Sequence, residues 1–124
     1  VSPAFDVETV RFCRESGVVV MPGCLTPTEI LAGWSEGVDA VKVFPCDAMG
    51  GAKYLKTLKT LFPHVPMMPT GGVTLETAAD FLRAGAFAVG VGSDLVDLEA
   101  IRAGDLKTIK ESARRFLEVA AEEK

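Results

Sequence analysis

Four short apolar runs punctuate this chain at nearly even intervals, and each leads through Gly or Pro into a segment of helical period. The runs occupy residues 18–21, 40–44, 65–68 and 87–91, so their starts lie 22 to 25 residues apart. That interval suits one strand–helix unit. Continuous apolar runs rich in β-branched residues are what strands buried on both faces look like, so the repeat predicts an α/β fold with a parallel sheet and outer helices. An open doubly wound sheet and a closed barrel fit this pattern equally well. A length of 124 residues suits one compact domain, 1–124.

The helices between the runs carry their own punctuation. Asp6 can cap a helix that buries Val7, Val10 and Cys13 and stops at Gly17. Thr26-Pro27-Thr28-Glu29 reads as a capping box with proline at the first helical position, ahead of Ile30, Leu31 and Trp34, with Gly37 as the stop. Leu55, Leu58 and Phe62 line a third helix that ends at Pro63. Leu75, Ala78, Ala79 and Leu82 line a fourth, with Gly85 as its C-cap. Asp105 opens a last helix that turns Leu106, Ile109, Phe116 and Leu117 inward and frays over 122–124.

Composition narrows the function classes. A net charge of −4 and a pI near 5.0, without any basic run, argue against a nucleic-acid partner or an anionic membrane surface. The longest apolar stretch, from Gly17 to Met21, is far too short to span a bilayer. Cys13, Cys24 and Cys46 are odd in number and widely spaced, which fits reduced thiols in a cytoplasm. The single histidine, His64, sits in a loop between Pro63 and Pro66, so no metal site is expected. The chain opens with Val1-Ser2-Pro3, as if a strand end ran straight into the first helix, and it reads as cut from something longer.

In proteins built from strand–helix units, function gathers just past the carboxyl ends of the strands. The four runs end in Met21-Pro22-Gly23, Phe44-Pro45-Cys46-Asp47, Pro69-Thr70-Gly71-Gly72 and Gly90-Val91-Gly92-Ser93. The last two are glycine-rich turns, the second leading into a short helical turn around 94–98. Glycine lets backbone amides approach an anion closely, so phosphate is the ligand these loops suggest; tight turning alone is the alternative. Lys42 is the sharper signal. Strand alternation sets Ala40, Lys42 and Phe44 on one face and Val41 and Val43 on the other. An ammonium is costly to bury, and a desolvated amine supplies more of the neutral form that attacks a carbonyl to make an imine. A lysine guarding an edge strand, or one reaching out to solvent, is the bland alternative. Cys24 and Cys46 read as small buried hydrophobes, Asp47 as a turn or helix-start residue, and Asp94 as the cap of a helical turn.

Taken together, Val41-Lys42-Val43-Phe44-Pro45, Gly50-Gly51, Pro69-Thr70-Gly71-Gly72-Val73 and Gly92-Ser93 resemble the family of 2-keto-3-deoxy-6-phosphogluconate (KDPG) and 4-hydroxy-2-oxoglutarate (KHG) aldolases. Ser2-Pro3 and Met21-Pro22-Gly23 match that family's fourth and fifth strand ends, and the similarity covers essentially the whole chain. The resemblance implies a (β/α)₈ TIM barrel of which this chain supplies roughly strands five to eight, a half barrel. It implies that Lys42, on strand six, is the Schiff-base lysine, and that Phe44 and Pro22 line the pyruvyl pocket. Thr70, Gly71 and Gly72, with Gly92 and Ser93, would hold a phosphorylated keto-acid substrate. No cofactor is implied, and family members are typically homotrimers. The family's general-base glutamate and carboxylate-binding arginine lie on strand two, before the start of this chain. Two departures stand out. Cys46-Asp47 replaces the usual Ala-Glu, and Asp94 stands where some members have Trp, a difference that resembles 6-phosphogalactonate-type relatives as much as the 6-phosphogluconate enzymes.

Overall fold

A computed structural model describes residues 1–123. Three parallel strands lie in sequence order: β1 (Gly23–Cys24), β2 (Val41–Val43) and β3 (Met67–Pro69). A fourth extended segment continues the sheet beside β3. There the Phe87 amide donates to Met67 O at 3.1 Å, the Gly90 amide donates to Pro69 O at 2.9 Å, and Gly90 forms a single parallel bridge with Thr70. So two of the four expected strands differ from the sequence reading. The first begins at Gly23 rather than Val18, and the fourth shrinks to one bridge. Val18 and Val19 are 55% and 62% exposed, and bonding from the neighbouring segment starts only where Asp39 N reaches Val20 O. Without ladder bonds or cover, an apolar run does not by itself make a strand.

The helices are α1 (Val7–Glu15), α2 (Pro27–Ser35), α3 (Ala52–Leu61), α4 (Ala78–Arg83), α5 (Leu98–Arg102) and α6 (Leu106–Glu122). Asp6 caps α1 through the Thr9 amide, and Thr26 and Glu29 form the reciprocal capping box of α2. Helix α4 is shorter than the apolar period suggests. The amide of Thr74 donates to Thr77 Oγ1 at 2.8 Å, and that hydroxyl donates to Gly72 O at 2.7 Å, closing a turn ahead of the helix. Helix α5 was not foreseen: the expected turn near Asp94 ends before it, and Asp97 caps it by accepting from the Glu99 and Ala100 amides.

The core lies on one face of the sheet. Val41, Val43 and Met67 pack there with Val10, Ile30, Leu55, Leu58 and Phe81 from the helices. On the opposite face Lys42 and Met68 pair in register and stay half-buried. Several expected core residues lie outside: Leu31 is 56% exposed, Leu106 71% and Leu117 70%, and in α6 Phe116 alone is buried. Leu117 instead borders, with Phe87 and Val91, an apolar groove of about 490 Å³ between α4 and α6 that the described residues leave unfilled. Helix α6 closes at Glu122, and Arg83 Nε donates to Glu123 Oε2 at 2.9 Å. Lys124 lies outside the described residues. No helix among them is long and apolar enough to cross a membrane.

Candidate active site

Strand β2 and its two neighbours bring several of the expected site residues together. The Lys42 amide donates to Pro22 O at 2.9 Å, so the buried Pro22 lies directly beside the lysine. The Lys42 Nζ stands 4.4 Å from the centroid of the half-buried Phe44 ring. On the other side, the Thr70 amide donates to Val43 O at 3.0 Å and Thr70 O accepts from the Cys46 amide at 2.9 Å. Pro22, Lys42, Phe44 and Thr70 therefore sit on three adjacent strand ends.

Lys42 is half-buried: among the described residues the helices pack on the opposite face of the sheet. Its ammonium rests against the Phe44 ring, a contact worth about 0.5–1 kcal/mol at an exposed site.

Thr70 adds a second chemical feature. Its hydroxyl is buried and finds no hydrogen-bond partner among the described residues. Gly90 makes room for it: a Cβ on Gly90 would stand 2.2 Å from Thr70 Oγ1. A buried hydroxyl without a partner is costly, and a ligand atom that pairs with it relieves that cost.

The two glycine-rich loops leave from the paired residues Thr70 and Gly90, so the bridge sets them side by side. The amides of Gly71, Gly72, Gly92 and Ser93 donate to no acceptor among the described residues. Gly71 and Gly72 have φ of 95° and 67°, which other residues rarely adopt. Gly92 and Ser93 are exposed; their loop closes through the Leu95 and Val96 amides, which donate to Gly92 O at 3.0 Å. Among the described residues no hydrogen bond joins Gly92 or Ser93 to Lys42.

Three neighbours were not singled out from sequence. Met68 shares the lysine's face, which the period of the 65–68 run could have revealed. Gly23 pairs with Lys42, and a Cβ there would lie 2.1 Å from Pro3 O, so the N-terminal segment packs directly on it. Gly90, read only as part of a glycine-rich turn, is marked by its bridge to Thr70 and its tight clearance from that hydroxyl. Asp47, read as a helix-start residue, opens a 3₁₀ turn (Asp47–Met49) against the Gly71-Gly72 loop.

Cys24 and Cys46 flank the site but do not supply a nucleophile. Burial pushes both thiols up to about 11, helped by the charge of Glu29 at Cys24 and of Asp47 at Cys46. Only about a thousandth of each is thiolate at pH 8 on that basis. Iodoacetamide on the native protein at pH 8 is expected to modify the half-buried Cys13 and spare both others. Modification of Cys46 at the rate of Cys13 would contradict this placement. His64, in a turn, makes an edge-on contact with Trp34 at 5.8 Å.

Comparison with known proteins adds to this geometry. A family model described as KDPG and KHG aldolase matches residues 1–112. The chain is 38% identical over 96 residues to a 2-dehydro-3-deoxy-6-phosphogalactonate aldolase of Escherichia coli K12, covering 77% of this chain and 46% of the relative. A solved structure described as native KDPGal is 31% identical with a TM-score of 0.89, covering 98% of this chain and 57% of that one. A KDPG aldolase from Legionella pneumophila, solved with pyruvate captured as a covalent carbinolamine, is 31% identical with a TM-score of 0.81, covering 89% and 53%. The chain spans about half the length of the curated relatives it matches.

Proposed function

This chain belongs to the KDPG and KHG aldolase family, and we propose that it is the lysine-bearing half of a class I aldolase barrel. The substrate we infer is a 2-keto-3-deoxy-6-phospho sugar acid, cleaved to pyruvate and glyceraldehyde 3-phosphate, with 4-hydroxy-2-oxoglutarate as a second substrate. The observation that carries this reading is the position of Lys42 on β2, opposite the face where the described helices pack, its amide bonded to Pro22 O and its cross-strand neighbour Met68 two residues before Thr70. The covalent pyruvate carbinolamine described for the Legionella relative supports it.

In this mechanism the neutral Lys42 amine attacks the substrate ketone, giving a carbinolamine that loses water to an iminium. A base takes the proton of the carbon-four hydroxyl, the iminium draws electrons from the breaking bond between carbons three and four, and the aldehyde leaves. The enamine that remains is protonated, and water hydrolyses the resulting imine to pyruvate and free lysine. Phe44 and Pro22 would wall the pyruvyl end, and the Thr70 hydroxyl would take a substrate oxygen. The free amides of Gly71, Gly72, Gly92 and Ser93 would receive the phosphate. The imine performs the polarisation that a metal supplies elsewhere, so no cofactor enters the proposal. We further propose that the chain works within a homo-oligomer, trimeric by the resemblance.

The choice of sugar acid is open to a direct test. The 38% identity to the phosphogalactonate enzyme, and Asp94 in place of Trp, favour weighing the galactonate epimer equally. Pyruvate release from the two carbon-four epimers, followed with lactate dehydrogenase, ranks them. By the resemblance, the base and the arginine of strand two have no counterpart here. Turnover by these 124 residues alone should therefore fall below that of relatives by more than the roughly 10²–10⁴-fold that acid–base assistance alone supplies, since substrate positioning adds to it. Release from neither epimer above the Lys42→Ala background would sink the proposal.

A further inference from the structure

We propose that Asp47 sets the charge selectivity of the glycine loop after β3, its carboxylate weakening the loop's hold on a dianionic phosphate. This inference rests on the reading of Gly71 and Gly72 as phosphate donors. The loop and Asp47 are in direct contact. Asp47 Oδ1 lies 2.5 Å from the point where a Gly71 Cβ would stand, and Asp47 Cβ lies 2.6 Å from the corresponding point on Gly72. Both glycines thus lie flat on this one side chain, with the carboxylate beside their backbone.

The aspartate is held there by its own backbone. The Cys46 amide donates to Thr70 O at 2.9 Å, the Gly51 amide to Cys46 O at 3.0 Å, and the Gly50 amide to Asp47 O at 3.1 Å. Among the described residues no hydrogen bond or ion pair neutralises the carboxylate: Lys53 lines the same cleft, as does Asp80, and neither pairs with Asp47. A full negative charge therefore borders amides that would otherwise suit an anion.

Asp47 has two separable effects. Its methylene crowds Gly72 and its carboxyl group crowds Gly71, while its charge opposes phosphate. A carboxylate close to a dianion, in a solvent-exposed setting, should weaken binding about three- to tenfold at low salt. The penalty should fade as added salt shortens the Debye length to about 3 Å near 1 M.

The test is the dissociation constant of inorganic phosphate for the wild type, Asp47→Asn and Asp47→Ala, by calorimetric titration at low and high salt. Asp47→Asn keeps the crowding and removes the charge. It should bind phosphate about three- to tenfold more tightly than wild type at low salt, and the difference should shrink at high salt. Equal or weaker binding by Asp47→Asn, or no phosphate binding by any variant, overturns the proposal. Weaker binding by Asp47→Asn and Asp47→Ala alike would assign the residue a packing role only. Pyruvate trapping on wild-type Lys42, which needs no phosphate, is measured alongside. Its failure would count against the aldolase reading, whereas its success with unchanged phosphate affinity in Asp47→Asn would count against this inference alone.

Discussion

Lys42→Arg should cost at least about 10⁴-fold in aldol cleavage while leaving the fold intact. Removal of an activated nucleophile typically has effects of that size or larger. The arginine variant is the informative one. Its guanidinium can still lie over the Phe44 ring, where the Lys42 ammonium now sits 4.4 Å from the centroid. Thermal stability should therefore change by less than about 1 kcal/mol. Yet a guanidinium stays protonated and cannot form the imine. Activity within tenfold of wild type in Lys42→Arg would mean that this position contributes charge rather than a covalent bond.

The second large effect concerns the helix–sheet interface. Leu58→Ala should destabilise the domain by about 2–5 kcal/mol, because its side chain is fully buried under the sheet and its removal leaves a cavity. Leu61→Ala, one turn later on α3, should cost less than about 0.5 kcal/mol, since Leu61 is 56% exposed. Urea unfolding of both variants checks this. Equal losses would mean that α3 presents a different face to β2 and β3, and would move Lys42 off the open face with it.

Much of this arrangement was legible from local sequence signals. The Thr26–Glu29 capping box and the Asp6 cap are set by neighbouring residues, and both form as read. Lys42 was legible because alternation within a short strand depends only on its two flanking valines, both fully buried. What failed depends on partners far along the chain. Val18 and Val19 look like strand residues but lack ladder bonds, and Leu117 looks like core but borders an unfilled groove. No periodicity reports what covers a face. Asp97 does not stand out as a cap in the sequence because the helix it serves, α5, is only five residues long. The half-burial of Lys42 belongs to the same class: cover comes from tertiary neighbours, not from the strand.

The contact of Asp47 with Gly71 and Gly72 was equally invisible. The residues are more than twenty positions apart, and no spacing rule joins them. The glycines themselves were legible as loop residues. Their left-handed φ values give that reading its physical reason.

Peptide mapping after pyruvate and borohydride treatment tests the central claim most directly. Every other lysine in the described chain serves as an internal control, and Lys59 is the demanding one. Burial lowers its pKa, so it is the competitor most prone to adventitious imine formation. Its amine, however, donates to Pro63 O and Val65 O, each at 2.9 Å, ahead of the start of β3 and away from the glycine loops. The expected result is one reduced pyruvyl adduct per chain, on Lys42, absent from Lys42→Ala. An adduct spread evenly over Lys53, Lys56 and Lys59, or persisting in Lys42→Ala, would contradict the assignment of Lys42 as the imine-forming residue.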